Sequence, residues 1–162
     1  MSGQPGSVGA ASAIACLCVL AACASPSVET ADLACPPTQI AVPSDRIGNN
    51  DSKGELRYAA TMTDLVSTCR REDEDIEVDI EFTVSAERGP AFDDQSAKLT
   101  YFLATVDPNR EIVDKQLLDV QLDFEGDRPV SALREAVTLR LPAAVEASGA
   151  NYNLYLGFQF TP

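Results

Sequence analysis

The sequence predicts an all-β domain built from two packed sheets. Three observations predict it. Apolar and polar residues alternate with a period of two in run after run, Gly-, Pro- and Asn-containing turns separate the runs, and no long helical stripe competes with them. Size and composition agree, because 162 residues at 45% hydrophobic and 23% charged fill one cored domain and are too apolar for a disordered chain.

Ile40 and Val42 alternate with polar neighbours and predict a short first strand. Residues 43–54, P-S-D-R-I-G-N-N-D-S-K-G, are loop by composition. Leu56, Tyr58, Ala60 and Met62 then alternate with Arg57, Ala59, Thr61 and Thr63, and the run continues past Asp64 to Cys69. The clearest strand is 76–86, with Ile76, Val78, Ile80, Phe82, Val84 and Ala86 on one face. Its other face, Glu77, Asp79, Glu81, Thr83 and Ser85, reads as solvated and acidic. Arg88-Gly89-Pro90 turns the chain into 98–106, which is apolar on both faces and predicts a more buried strand.

Asp107-Pro108-Asn109 makes a hairpin turn into the next strand, whose phase slips. Val113 and Leu117 are odd-numbered, whereas Leu118, Val120, Leu122 and Phe124 are even, which predicts a bulge or a crossing between sheets. Residues 130–141 fit a helix through Val130, Leu133, Val137 and Leu141 and a strand through Leu133, Val137, Leu139 and Leu141. We choose strand, because β-branched residues cluster there and strands flank it. Tyr152, Leu154, Leu156, Phe158 and Phe160 form the last one. About seven strands joined by turns make a single β-sandwich of immunoglobulin-like or fibronectin-type-III-like character. Tyr152, just after the loop 141–151, is a candidate tyrosine corner, with a plain core tyrosine as the alternative.

The N-terminus carries an address. No charged side chain precedes Glu29, and Val8 to Ala22 is an apolar run of signal-peptide length, too short for a permanent spanning helix. Leu20-Ala21-Ala22-Cys23 resembles the lipobox of bacterial lipoproteins. The resemblance implies a signal peptide at 1–22 and an acylated Cys23 inserting into the bilayer. A lipidated tether at 23–34 and a sandwich domain at 35–162 would follow. Met1 to Gly9 departs from the usual signal in lacking Lys or Arg. Ala24 stands where aspartate would mark inner-membrane retention, so the implied destination is the outer membrane, facing the periplasm.

Of five cysteines, Cys16 and Cys18 lie in the signal and Cys23 takes the lipid. Cys35 and Cys69 remain, an even pair in an oxidising compartment, and a disulfide is the default reading against two buried free thiols.

Three further stretches are A-E-R-G-P at 86–90, Y-F-L-A-T-V-D-P at 101–108 and Y-N-L-Y-L-G-F-Q-F-T-P at 152–162. Together they resemble a group of small alphaproteobacterial envelope lipoproteins with a cysteine pair framing the early part of the domain. The resemblance spans roughly 35–162, bears on fold and location, and transfers no site.

Composition narrows the chemistry. A formal charge of −13, from 25 acidic and 12 basic side chains, argues against nucleic acid. The absence of histidine excludes Ser-His-Asp and Cys-His catalysis and His-based metal sites. No serine stands in a G-x-S-x-G or S-x-x-K context. Glu72-Asp73-Glu74-Asp75, continued by Glu77, Asp79 and Glu81 with Asp93-Asp94 as a second contributor, could offer oxygens to calcium. Without a D-x-D-x-D-G loop, a wet, repulsive face that discourages aggregation is the stronger reading. The expectation is a non-enzymatic lipoprotein without cofactor, metal or catalytic residues, serving as an interaction or structural module for another envelope protein. A small-ligand or cation-binding module is the alternative.

Overall fold

The computed structural model describes residues 35–142 and 152–160. It contains eight strands in two four-stranded sheets that face each other as a sandwich. They are β1 (Thr38–Ile40), β2 (Arg46–Asn50), β3 (Leu56–Glu72), β4 (Asp75–Arg88), β5 (Ser96–Val106), β6 (Ile112–Asp123), β7 (Val130–Pro142) and β8 (Asn153–Phe158). One sheet runs β1-β8-β5-β6 and the other β2-β3-β4-β7, antiparallel except for the β1–β8 pair.

The alternation in β4 works as read: Ile76, Val78, Ile80, Phe82, Val84 and Ala86 are buried. From the facing sheet, Leu99, Tyr101 and Leu103 of β5 and Leu154, Leu156 and Phe158 of β8 meet them. Phe82 and Tyr101 join the layers edge to face, with ring centroids 5.2 Å apart. In β3 the phase changes at Asp64, whose φ is +54°, where the register with β4 shifts. Even residues Tyr58, Ala60 and Met62 point inward before that bulge, and odd residues Leu65 and Cys69 pack on the core after it.

One sequence expectation changes and two ambiguous readings resolve. The loop expected over 43–54 contains β2, which raises the count to eight strands. Its composition (Arg46, Ile47, Gly48, Asn49, Asn50) has one apolar residue, and its strand character comes from pairing with β3. The chain enters as β1 in one sheet, crosses at 41–45 and continues as β2 in the other. The phase slip in β6 has two causes. Thr105 opposes Asp114 while Val106 opposes Ile112, so Val113 is the extra residue of a bulge. Leu117 lies in regular register and is simply an apolar residue on the outer face. Residues 130–141 are a strand, as chosen, because β4 supplies their ladder from Asp75–Pro142 to Glu87–Val130.

Cys35 and Cys69 form a disulfide with Cα atoms 5.6 Å apart. It ties the residue that leads into β1 to β3 of the opposite sheet. The β3–β4 and β5–β6 turns lie at this end of the sandwich. The β2–β3 turn, the 89–95 loop and the β6–β7 connection lie at the other.

Candidate functional site

The acidic row is the first place to look, and the structure reassigns it. Glu77, Asp79 and Glu81 stand on the outer face of β4, an interior strand with β3 and β7 on either side, so the row is not a sheet edge. Arginines from both neighbours close over it. Glu77 lies between Arg70 and Arg140, the latter at 2.9 Å, and is only 5% exposed. Asp79 accepts from the Thr138 hydroxyl at 2.7 Å and from Arg70. Those two hydrogen bonds hold its carboxyl below the usual carboxylate range. Arg134 reaches Glu81 at 2.8 Å. The face is wet, as read, but it is not repulsive: the arginines neutralise it in a lattice of charge-assisted hydrogen bonds.

Asp93 and Asp94 do not join that row. They lie at the opposite end of the sandwich and both engage Arg57. Among the described residues, no group of three or more Cys, Asp or Glu is arranged to hold a metal ion.

A groove at the end remote from the disulfide can take a ligand. Tyr58 projects from β3 into the gap between the sheets, and its hydroxyl donates to the Lys98 carbonyl at 2.9 Å. Burial pushes the phenol's pKa up, so Tyr58 is a neutral donor that fixes the separation of β3 and β5 here. Two adjoining hollows of about 480 and 220 Å³ meet around Asn49, Tyr58 and Lys98. Arg57, Asp94, Gln95 and Ser96 extend the lining on one side, and Ile47, Thr100, Gln159 and Phe160 on the other.

Strand lengths create this groove. Within the described residues β8 pairs β5 only from Tyr101 to Val106, after which the Gln159 amide donates to the Thr100 carbonyl at 2.9 Å. β5 itself begins at Ser96, so its first residues run past the end of β8 and have no strand on that side among the described residues, the Lys98 carbonyl being taken by Tyr58. Asn49 adds a buried side-chain carbonyl, Oδ1, that has no hydrogen-bond donor among the described residues. The arrangement offers a backbone edge, an amine at Lys98, an unpartnered acceptor at Asn49 and an aromatic wall. It suits an extended peptide or a small polar molecule.

Of the sequence-predicted site residues, Cys35 and Cys69 are joined. Cys23 and the signal peptide lie outside the described residues. Tyr152 packs against the core, and the loop it would bond back to is also outside them. Sequence reading missed the groove, because Asn49, Tyr58, Lys98 and Gln159 come from four separate segments with no shared motif. Against known families, curated proteins and solved structures, the chain finds no match in any of the three comparisons.

Proposed function

We propose that the protein is a lipoprotein of the bacterial cell envelope. It is anchored through acylated Cys23 to the outer membrane, faces the periplasm, and presents its sandwich as a non-enzymatic interaction module to another envelope protein. The Leu20-Ala21-Ala22-Cys23 stretch supports the anchor, and the bridged Cys35–Cys69 pair suits an oxidising compartment. The observation that carries the interaction reading is the opposition of entry point and groove. Tyr58 and Cys69 are eleven residues apart along β3 (69 − 58), roughly 35 Å at strand rise. A chain tethered on the Cys35 side leaves the groove at the end remote from its entry point, where an extended segment of a partner can add to the β5 edge.

The test is site-directed. A photo-crosslinking residue at Ser96, beside the groove, is expected to give one discrete protein adduct in native membranes, and the same residue at Asp73 none. Absence of a discrete Ser96 adduct sinks the interaction reading. The anchor has its own test, since a Cys23→Ser form that still partitions with membranes removes the lipid from the account. The unpartnered Asn49 Oδ1 favours a second reading, a small polar ligand donating to it. Calorimetric screening that finds such a ligand, with binding lost in Asn49→Ala, would support this reading over a protein partner.

A further inference from the structure

Among the described residues, the opposite flank of the sandwich is bounded by the two long edge strands, β6 in one sheet and β7 in the other. Edge strands are usually blunted by brevity, bulges, proline or charge. β1 and β2 follow that rule at three and five residues, with a register shift at Asn49/Asn50 in β2. β6 does not. From Asp114 to Asp123 it runs in unbroken register with β5 and contains no proline. Its N-terminal half exposes three large apolar side chains, Ile112 (64%), Val113 (55%) and Leu117 (58%). Across the flank, Leu133 of β7 is 43% exposed.

We propose that this edge pairs with the same edge of a second copy, antiparallel, about a two-fold axis passing through Leu117. The charge pattern selects both the partner and the register. Lys115 and Asp119 stand on the outer face two residues to either side of Leu117. Antiparallel pairing centred there places Leu117 against Leu117, and each copy's Lys115 against the other's Asp119. Shifting the axis to Asp119 sets two carboxylates directly opposite, and shifting it to Leu118 sets Leu117 against Asp119. Of these registers, only the one centred on Leu117 sets leucine against leucine and opposite charges against each other; Val113 then faces Gln121. Asp119 is already oriented by the Thr100 hydroxyl at 2.7 Å. Lys115 lies over the Phe102 ring at 4.7 Å and donates to half-buried Gln159, so a rotamer change frees it for the partner. The pairing is isologous and closes on itself, which ends growth at a dimer and converts an aggregation-prone edge into the middle of an eight-stranded sheet. The pairing runs along the free edge of β6, while the groove opens beside the end of β8. Lys115 and Asp119 touch Gln159 and Thr100 of its rim, but Leu117 does not, so crosslinking at Leu117 and at Ser96 can fail separately.

The experiment uses the full chain in detergent, with Cys16, Cys18 and Cys23 replaced by Ser so that an introduced thiol meets no free competitor. Leu117→Cys places two thiols on the axis, where directly opposed Cβ atoms are about 4.5–5.5 Å apart. A disulfide-linked dimer is expected under mild oxidation, with none from the outer-face control Thr138→Cys. In sedimentation, Lys115→Asp is expected to weaken the dimer about tenfold, because two cross-strand ion pairs become like-charge contacts. Lys115→Asp combined with Asp119→Lys is expected to restore it, which separates lost pairing from lost folding. A monomer in every variant, association indifferent to the charge reversal, or crosslinking through Leu133→Cys but not Leu117→Cys overturns the assignment. A monomer would leave this flank to a different protein.

Discussion

Removing the Cys35–Cys69 bridge tests most directly how this domain is held together. The two cysteines are 34 positions apart, and in the chain-entropy treatment a loop of that length contributes about 3.8 kcal/mol at 25 °C by restricting the unfolded chain. That is a large share of the roughly 5–15 kcal/mol that stabilises a domain of this kind. The structure also says where the loss appears first. β1 has three residues, and among the described residues its strand neighbour is β8. Its flanks are held by hydrogen bonds from the Leu154 amide to the Pro37 carbonyl at 2.8 Å and from the Ala41 amide to the Leu156 carbonyl at 2.7 Å. The assay compares urea unfolding of the oxidised protein with Cys35→Ala/Cys69→Ala, alongside amide exchange of Leu154 and Ala41. The expected result is a fall in unfolding free energy of about 3–4 kcal/mol, with those two amides exchanging locally before the β3–β4 ladder opens. A fall below about 1 kcal/mol would show that the unfolded chain was already restricted, and the entropic reasoning would be wrong.

Other consequences can be checked with the same unfolding measurements. Glu77→Ala should cost about 1–2 kcal/mol, less than for a sealed ion pair, because Arg70 and Arg140 are both more than half exposed and rehydrate; an unchanged midpoint would reduce the lattice to decoration. A Cβ at position 157 would stand 2.6 Å from Ser44 Cβ and 3.0 Å from the Phe102 ring, so Gly157→Ala should cost about 1–3 kcal/mol by overpacking; an unshifted Tm would show that the 41–45 crossing yields. Asp107 is held below the usual carboxylate range first by the Glu111 amide and then by Asn109, and Asp79 by Thr138 and Arg70. Their stabilisation is present above the ordinary carboxylate pKa and is lost as pH falls through the lower folded values. Urea midpoints should therefore drop below about pH 4, and Asp79→Asn/Asp107→Asn should flatten that slope. At the alkaline end, burial, with Glu135 adding to it, pushes Tyr101 up to about 12. Its stabilisation is complete below the unfolded value near 10 and lost as pH rises from there through about 12, so Tyr101→Phe should flatten the alkaline limb, and an early tyrosinate absorbance would contradict the burial.

Much of the fold was legible because its central strands obey local rules. β4 pairs on both sides, so its apolar residues must all face one way, and the sequence from Ile76 to Ala86 says so without help. β2 was not legible, because one isoleucine among Arg, Gly and Asn carries no period, and the strand exists through its ladder with β3. The acidic row misled for a related reason. Glu77, Asp79 and Glu81 are consecutive in phase and visible, while the arginines that neutralise them sit on β3 and β7. A signal was present, since Arg134, Thr138 and Arg140 share the outward phase of residues 130–141, but it becomes informative only once β7 is known to lie beside β4. The groove was beyond local reading altogether, its defining contact joining Tyr58 and Lys98 across 40 positions.

The bridge has a mechanical side as well. A pull arriving through the residues before Cys35 meets the sulfur link before it meets β1. Without that link the three rungs joining β1 to β8 would part in turn, like a zip drawn from its end. With it, the force passes to Cys69, inside a ladder that runs from Tyr58–Arg88 to Glu72–Asp75 and must give way collectively. The rate of forced opening is then set by the strongest seam of the domain instead of its weakest.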